Sequence, residues 1–212
     1  MTHSLHRRGS LEELKQDFVL LANTSRVNQD VTKPLLSKVA EIVLNVGVSN
    51  TGSSGLETNI PMGFDKEGFI RNIHRSHALL SSFSSKEKLK TALTRLKEAD
   101  LGISLTLSGV IDEVIPLAQE VGMKPHTINL SLGIIGKTEL LPEEETLELT
   151  TMCGHALIAA ALVRKGIKDV ACGEKTPREA SNMVAKPCVC GIYNLDRSDR
   201  LLAQRAAKVE QG

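Results

Sequence analysis

The chain has 212 residues, of which 41% are hydrophobic and 24% are charged, an ordinary balance for a globular protein. This length favours one domain, and we expect a single domain over 1–212 with a flexible segment at 1–9 and a frayed tail at 205–212. The net charge is +1, and no basic block predicts a nucleic acid surface. Aromatic residues are too scarce for base stacking.

The sequence predicts neither a membrane span nor a secretory signal. No apolar run approaches the roughly 20 residues that span a bilayer, and the polar first ten residues lack a hydrophobic signal region. We therefore expect a cytoplasmic protein with reduced thiols. In that setting the four cysteines are expected to be metal ligands, nucleophiles or small buried residues.

The first third of the chain predicts alternating helices and a strand. Ser10 and Glu13 fit a capping box that opens a short helix, 18–22 has the composition of a buried strand, and a helix begins near Pro34. The glycine-rich stretch 47–63 predicts a flexible surface loop, although its free backbone N–H groups could also wrap an anion.

Two histidines are candidate ligands on a predicted helix. The helix is predicted over 69–80, and His74 and His77 would share one of its faces. They could bind a metal or an anion, but a solvated polar face is favoured because no acidic residue pairs with them at helical spacing. The roles of these two residues, and of His3 and His6 in the basic N-terminal segment, stay open.

The most regular stretch, 84–134, predicts a βαβ unit. A helix opened by a capping box at Ser84 and Glu87 precedes a strand at 102–107, a helix at 110–121 closed by Gly122, and a second strand at 127–132. Such a unit makes the two strands parallel. The predicted fold is therefore one three-layer α/β domain, with a mixed or parallel sheet, helices on its faces and a cysteine-rich helical C-terminal part.

Polar residues alternate with apolar residues along both predicted strands of this unit. One face of the sheet should therefore be polar and border either solvent or a binding cleft. Ligands of open α/β sheets bind beyond the carboxyl ends of the strands. We accordingly predict that Ser108 and Gly109, near Gly133, contact a cofactor or small-molecule ligand.

The cysteine-cluster region, 142–194, holds three of the four cysteines. Pro142 and the acidic residues after it could start a helix, whereas 146–151 alternates like a strand before Cys153. An alanine-rich helix is predicted from Gly154 to a stop at Gly166, and Thr176 and Glu179 form another capping box. A final amphipathic helix is predicted over 196–209. If a helix starts just after Cys153, the helix N-terminus and the nearby His155 would lower the pKa of that thiol.

Two interpretations of the cluster assign it chemistry. In the first, Cys153, His155, Cys188 and Cys190 bind one metal centre, since three thiolates and an imidazole suit zinc or, less usually, an Fe–S cluster. Cys172 could replace one ligand. In the second, Cys153 is a nucleophile or acid–base thiol with His155 beside it. The alternative is that the cysteines are small buried residues, which we favour for Cys172.

The motif Met-Cys-Gly-His-Ala at 152–156, followed by an alanine-rich helix, resembles the Met-Cys-Gly-His motif of proline racemase-type epimerases. The resemblance implies that Cys153 removes or returns a proton at a substrate α-carbon, opposite a second cysteine, Cys188 or Cys190. It covers this short motif alone. The chain after Cys190 lacks the Gly-Thr-rich helix that follows the second cysteine in that family.

The sequence therefore predicts a cytoplasmic metal–thiolate protein that acts on a small molecule as an enzyme or as a cofactor-handling accessory protein. A metal-free cysteine enzyme and a ligand-binding or regulatory module with structural zinc are the alternatives. Neither a nucleic acid nor a membrane is expected as a partner, and a homo-oligomer is compatible with the sequence.

Overall fold

The computed structural model describes residues 4–24 and 28–209. The strands are β1 (Phe18–Asn23), β2 (Asn50–Ser53), β3 (Thr58–Asn59), β4 (Ala78–Phe83) and β5 (Ser104–Ser108). The helices are α1 (Leu11–Leu14), α2 (Gln29–Thr32), α3 (Leu35–Val46), α4 (Lys66–Asn72), α5 (Lys86–Ala99), α6 (Ile111–Glu120), α7 (Glu144–Thr150), α8 (Ala160–Ala171), α9 (Pro177–Ala185) and α10 (Leu195–Val209). His3 and the end of the predicted tail, 210–212, lie outside the described residues, whereas 205–209 belong to α10.

The five strands form one antiparallel sheet in the order β3-β2-β4-β1-β5. The prediction of helices combined with a sheet is correct, but the predicted parallel or mixed pairing and the βαβ unit are wrong. β5 lies at the sheet edge and, within the described residues, pairs only with β1, with Val19 opposite Ser108. The alternation of polar and apolar residues in β5 is typical of an antiparallel edge strand with one wet face.

The second strand of the predicted βαβ unit does not form. Residues 127–132 have no regular secondary structure and are exposed, with Leu130 68% and Leu132 93% accessible. They pair with no strand in the described part of the chain. The segment has the period of a strand, but a strand also requires backbone partners, and the pattern alone does not supply them.

The sheet separates two hydrophobic cores, because successive side chains of a strand point to opposite faces. On one face Phe18, Leu20 and Phe83 pack against α3, α4, α5 and α6. On the other face Val19, Leu21 and Leu80 pack against the C-terminal helices and the cysteine residues. Helices therefore cover both faces of the sheet.

Several local predictions are wrong. Residues 146–150 lie in helix α7 and Thr151 is its C-cap; the acidic first turn of this helix suits the helix dipole. The next helix starts at Ala160, and Gly166 lies inside it, where a Cβ would be 3.2 Å from a Val184 methyl carbon. Residues 69–80 are split between α4, a 3-10 turn (Ile73–Arg75) and β4, because Ala78–Phe83 is fully buried as a sheet strand.

Other local predictions are confirmed, including β1, α3, α5, α6, α9 and α10. The capping box of Thr176 and Glu179 forms in full, and Gly122 has the left-handed conformation expected after α6. Ser85 rather than Ser84 caps α5. Within the described residues, no helix is long and apolar enough to cross a membrane.

Candidate functional site

Cys153 and His155 lie in the loop 151–159 between α7 and α8, not at the start of a helix as predicted. Gly154 and Ala156 have φ values of 67° and 55°. These left-handed residues turn the chain sharply, and such turns aim neighbouring backbone N–H groups into one concavity. The predicted break in the chain at Cys153 is real, but it separates two helices rather than a strand and a helix.

Cys188 and Cys190 lie in the loop between α9 and α10. The amide of Cys188 donates to the Ala185 carbonyl at 2.9 Å, and the amide of Gly191 donates to the Cys188 carbonyl at 2.9 Å. These bonds form a tight turn with Gly191 at a φ of 77°. Both sulfur atoms therefore have fixed positions beneath the sheet.

The two loops bring the four predicted site residues together. Cys188 Sγ is 3.9 Å from Cys190 Sγ, and Cys190 Sγ is 3.7 Å from Nδ1 of His155. The Cys188 thiol hydrogen-bonds the Cys153 sulfur. We call Cys153, His155, Cys188 and Cys190 the thiol cluster. Its three cysteines are buried and reduced, and His155 is exposed.

The thiol cluster favours a thiolate at Cys153. The hydrogen bond from Cys188 lowers the pKa of Cys153 to about 6, and the backbone N–H groups of Leu157 and His155 add to this against the opposing effect of burial. The pKa of Cys188 is raised well above its usual range because its thiol proton is held between Cys153 and Cys190. The pKa of Cys153 is thus lowered by the Cys188 hydrogen bond and the two backbone N–H groups, and not by a helix N-terminus as predicted.

Two glycines allow the second cysteine loop to lie directly on the sheet. A Cβ on Gly191 would be 2.3 Å from the Gly52 nitrogen, and a Cβ on Gly52 would be 2.4 Å from the Thr58 carbonyl oxygen. The predicted flexible loop 47–63 is therefore wrong, since β2 and β3 form a packed hairpin beneath this turn. Asn59 of this hairpin donates to the Cys188 carbonyl at 2.8 Å.

Arg7 connects the two cysteine loops. Its Nη2 donates to the Met152 carbonyl at 3.0 Å and to the Ile192 carbonyl, and its Nη1 pairs with buried Asp17. Asn194 and Arg197 also bond the Asp17 carboxylate, at 3.0 and 2.8 Å. Sequence reasoning missed Arg7, because a single arginine in a polar N-terminal segment carries no periodic signal.

Ser108 and Gly109, the predicted ligand-contacting residues, lie away from the thiol cluster at the end of β5. They line a cavity of about 200 Å³, and Ser108 shares a 2.7 Å hydroxyl contact with Ser4. Gly133 lines a neighbouring cavity of about 480 Å³, as does His6. No residue of the thiol cluster lines either cavity.

The remaining candidates lie elsewhere. Cys172 is exposed at the end of α8, so the prediction that it is buried is wrong, and it lies outside the thiol cluster. His74 contacts the Arg71 carbonyl at 2.7 Å and is exposed. His77 precedes β4, so it does not share a helical face with His74.

Among the described residues, no three His, Cys, Asp or Glu side chains already surround a common point as metal ligands do. Comparison with protein-family models, with curated proteins and with solved structures finds no match for this chain. The local resemblance to proline racemase-type epimerases therefore stays a prediction.

Proposed function

We propose that the protein is a metal–thiolate protein in which Cys153, His155, Cys188 and Cys190 bind one metal centre. The observation that carries this proposal is the convergence of three buried, reduced thiols and an imidazole from two separate loops. Zinc is the first candidate, and an Fe–S centre is the second.

The distances within the cluster suit a single ion. In a tetrahedral zinc site with Zn–S bonds of about 2.3 Å, neighbouring ligand atoms are about 3.8 Å apart. The Cys188–Cys190 and Cys190–His155 separations are 3.9 and 3.7 Å. Cys153 already contacts Cys188, and His155 already lies beside Cys190, so metal binding requires a local movement that brings these two pairs around one ion.

Burial also favours a metal over a substrate. The three cysteines are at most 1% exposed and line neither cavity, so a substrate has no evident route to them. Metal binding requires the deprotonated thiol. The pKa of Cys153, lowered to about 6, supplies a thiolate ligand at neutral pH.

The exposed position of His155 bears on the role of the metal. An exchangeable ligand at the surface would leave one coordination position for water or a substrate, as in catalytic zinc sites, whereas four protein ligands define a structural site. We therefore propose an enzyme or cofactor-handling protein of the cytoplasm that acts on a small molecule, with a homo-oligomer as a compatible assembly. A binding or regulatory module with structural zinc is the alternative within this class.

A metal-free cysteine enzyme is the second candidate function. The observation that favours it is the pairing of a thiolate at Cys153 with a protonated thiol at Cys188. Such a pair holds one base and one acid, which is what proton removal and return at a carbon centre require. This candidate needs the loop 151–159 to open, because Cys153 is fully buried.

Elemental analysis and an optical spectrum of anaerobically purified protein test the proposal. We expect about one zinc per chain without visible bands, or iron with charge-transfer bands if the centre is Fe–S. Cys190→Ser should lose most of the metal, and Cys172→Ser, a matched control on an exposed cysteine, should keep it. Protein free of both metals, or equal metal content in the two variants, would refute the metal proposal and favour the thiol enzyme.

A further inference from the structure

A long segment between α6 and α7 leaves its side chains in solvent. Every residue from 124 to 141 is exposed, and 124–137, which we call the arm, contains no helix or strand. Within the described residues, the backbone of 124–135 makes no hydrogen bond to another backbone group. A segment of this length without secondary structure is uncommon in a compact domain, so it requires an explanation.

The arm combines the periodicity of a strand with an apolar face. Ile128, Leu130 and Leu132 are 53%, 68% and 93% exposed. In a strand these three side chains point to the same face, because successive side chains alternate. The stretch 127–135 contains no charged residue and no proline, which distinguishes it from an ordinary polar loop. Exposed apolar residues grouped in this way mark an interaction surface.

β5 presents a complementary edge. It is the last strand of the sheet and, in the described part of the chain, it pairs with β1 alone. N–H and C=O groups on its other side therefore point away from the sheet. Its sequence, Ser-Leu-Thr-Leu-Ser, lacks the charges and prolines that usually protect a sheet edge. Leu105 and Leu107 are only partly buried against the core, so an added strand also covers apolar surface.

The arm of the same molecule does not cover this edge. Asn129, Leu130 and Ser131 line a cavity of about 200 Å³ together with Ser108, the last residue of β5. Residues 104–107 do not line that cavity. The arm therefore meets β5 at its end and does not run along it.

We propose that the arm of a second copy of this chain adds to the edge of β5 as a further antiparallel or parallel strand, in a two-fold symmetric dimer that exchanges both arms. Strand addition supplies main-chain hydrogen bonds to the arm and to β5, and alternate apolar side chains supply the packing. The occupant is a second copy because each chain carries both the open edge and the unpaired strand, so one two-fold rotation completes both.

This interface is separate from the thiol cluster. No residue of the cluster belongs to the arm or to β5. The dimer therefore does not depend on a bound metal, and a failure of either proposal leaves the other intact.

Sedimentation equilibrium of the full chain tests the association. Reducing conditions prevent the exposed Cys172 from forming a disulfide between copies. We expect a reversible monomer–dimer equilibrium between about 1 and about 100 µM. Protein that stays monomeric throughout this range, or that forms open assemblies larger than a dimer, would overturn the proposal.

A matched pair of leucine variants tests whether the arm carries the contact. Leu132→Lys and Leu140→Lys change leucines that are 93% and 74% exposed, and Leu140 lies beyond the strand-like stretch in a 3-10 turn. Both variants should fold, because both side chains lie in solvent in the monomer. Leu132→Lys should weaken dimerisation by about 100-fold or more, since symmetry removes the buried leucine twice, and Leu140→Lys should leave it unchanged. Equal dissociation constants for the two variants would contradict the proposal.

Hydrogen exchange locates the contact on both elements. The amides of 104–108 and 127–132 should gain protection together as the dimer forms and lose it together in Leu132→Lys, while the interior strand β4 stays unchanged. Protection of 127–132 without β5 would indicate that two arms pair with each other. Protection of both segments in the monomer would indicate that each arm pairs with its own β5, and either result would refute the exchanged dimer.

Discussion

At the scale of single residues, Cys153 has the most perturbed chemistry of the thiol cluster. Its pKa falls from a usual value of 9.0 to about 6, chiefly because the Cys188 thiol donates a hydrogen bond to it. The same proton raises the pKa of Cys188. The pair therefore holds one negative charge at neutral pH, with Cys153 as the charged partner.

In metal-free Cys172→Ser protein, the ultraviolet absorbance of the first thiolate should appear with a midpoint near pH 6. Adding Cys153→Ser should remove this step. Because the folded pKa lies below the unfolded one, ionisation stabilises the fold increasingly from about pH 6 to pH 9 and contributes nothing below that range. Denaturant unfolding at about pH 6 and about pH 9 measures this gain in unfolding free energy. An equal gain with and without Cys153 would contradict the lowered pKa of this residue.

Sequence reasoning identified these residues but not the reason for their chemistry. The types and clustering of Cys153, Cys188 and Cys190 were sufficient to predict convergence. The hydrogen bond between Cys153 and Cys188 depends on two loops far apart in the chain, and the left-handed conformation of Ala156 is not one that alanine ordinarily favours. Neither has a signature in the local sequence.

At the scale of elements, the contact between the β2–β3 hairpin and the second cysteine loop fixes the thiol cluster. Gly52 and Gly191 let two backbones approach closely, and Asn59 bonds the Cys188 carbonyl. The glycine-rich composition of 47–63 predicts a loop because surface loops usually have this composition. Glycine is also the residue that close backbone approach requires, and composition alone does not distinguish these two uses.

Gly191→Ala tests this contact against Gly173→Ala. Both glycines are left-handed, with φ values of 77° and 71°, but only at Gly191 would a Cβ meet backbone atoms, at 2.3 Å. Gly173→Ala should cost about 1–2 kcal/mol of unfolding free energy from backbone strain. Gly191→Ala should cost about 1–3 kcal/mol more from overpacking and should weaken metal binding. Equal losses in unfolding free energy would show that the contact does not constrain the loop.

At the scale of the whole molecule, an antiparallel sheet lies between a helical layer formed by α3, α4, α5 and α6 and another formed by the C-terminal helices. Local periodicity predicted most of the helices and β1, since each depends on its own apolar face. It did not predict the strand order, because pairing depends on partners distant in sequence. Residues 127–132 show this most clearly, because they have the pattern of a strand and no strand partner in the described chain.

The central claim is that two loops carried by this architecture bind one metal ion. X-ray absorption at the metal edge of reduced protein loaded with one equivalent of Zn²⁺ tests it most directly. We expect three sulfur ligands at about 2.3 Å and one nitrogen at about 2.0 Å, with one sulfur fewer in Cys190→Ser and no change in Cys172→Ser. A zinc ion bound only by nitrogen and oxygen, or reduced protein that does not retain Zn²⁺, would contradict the claim.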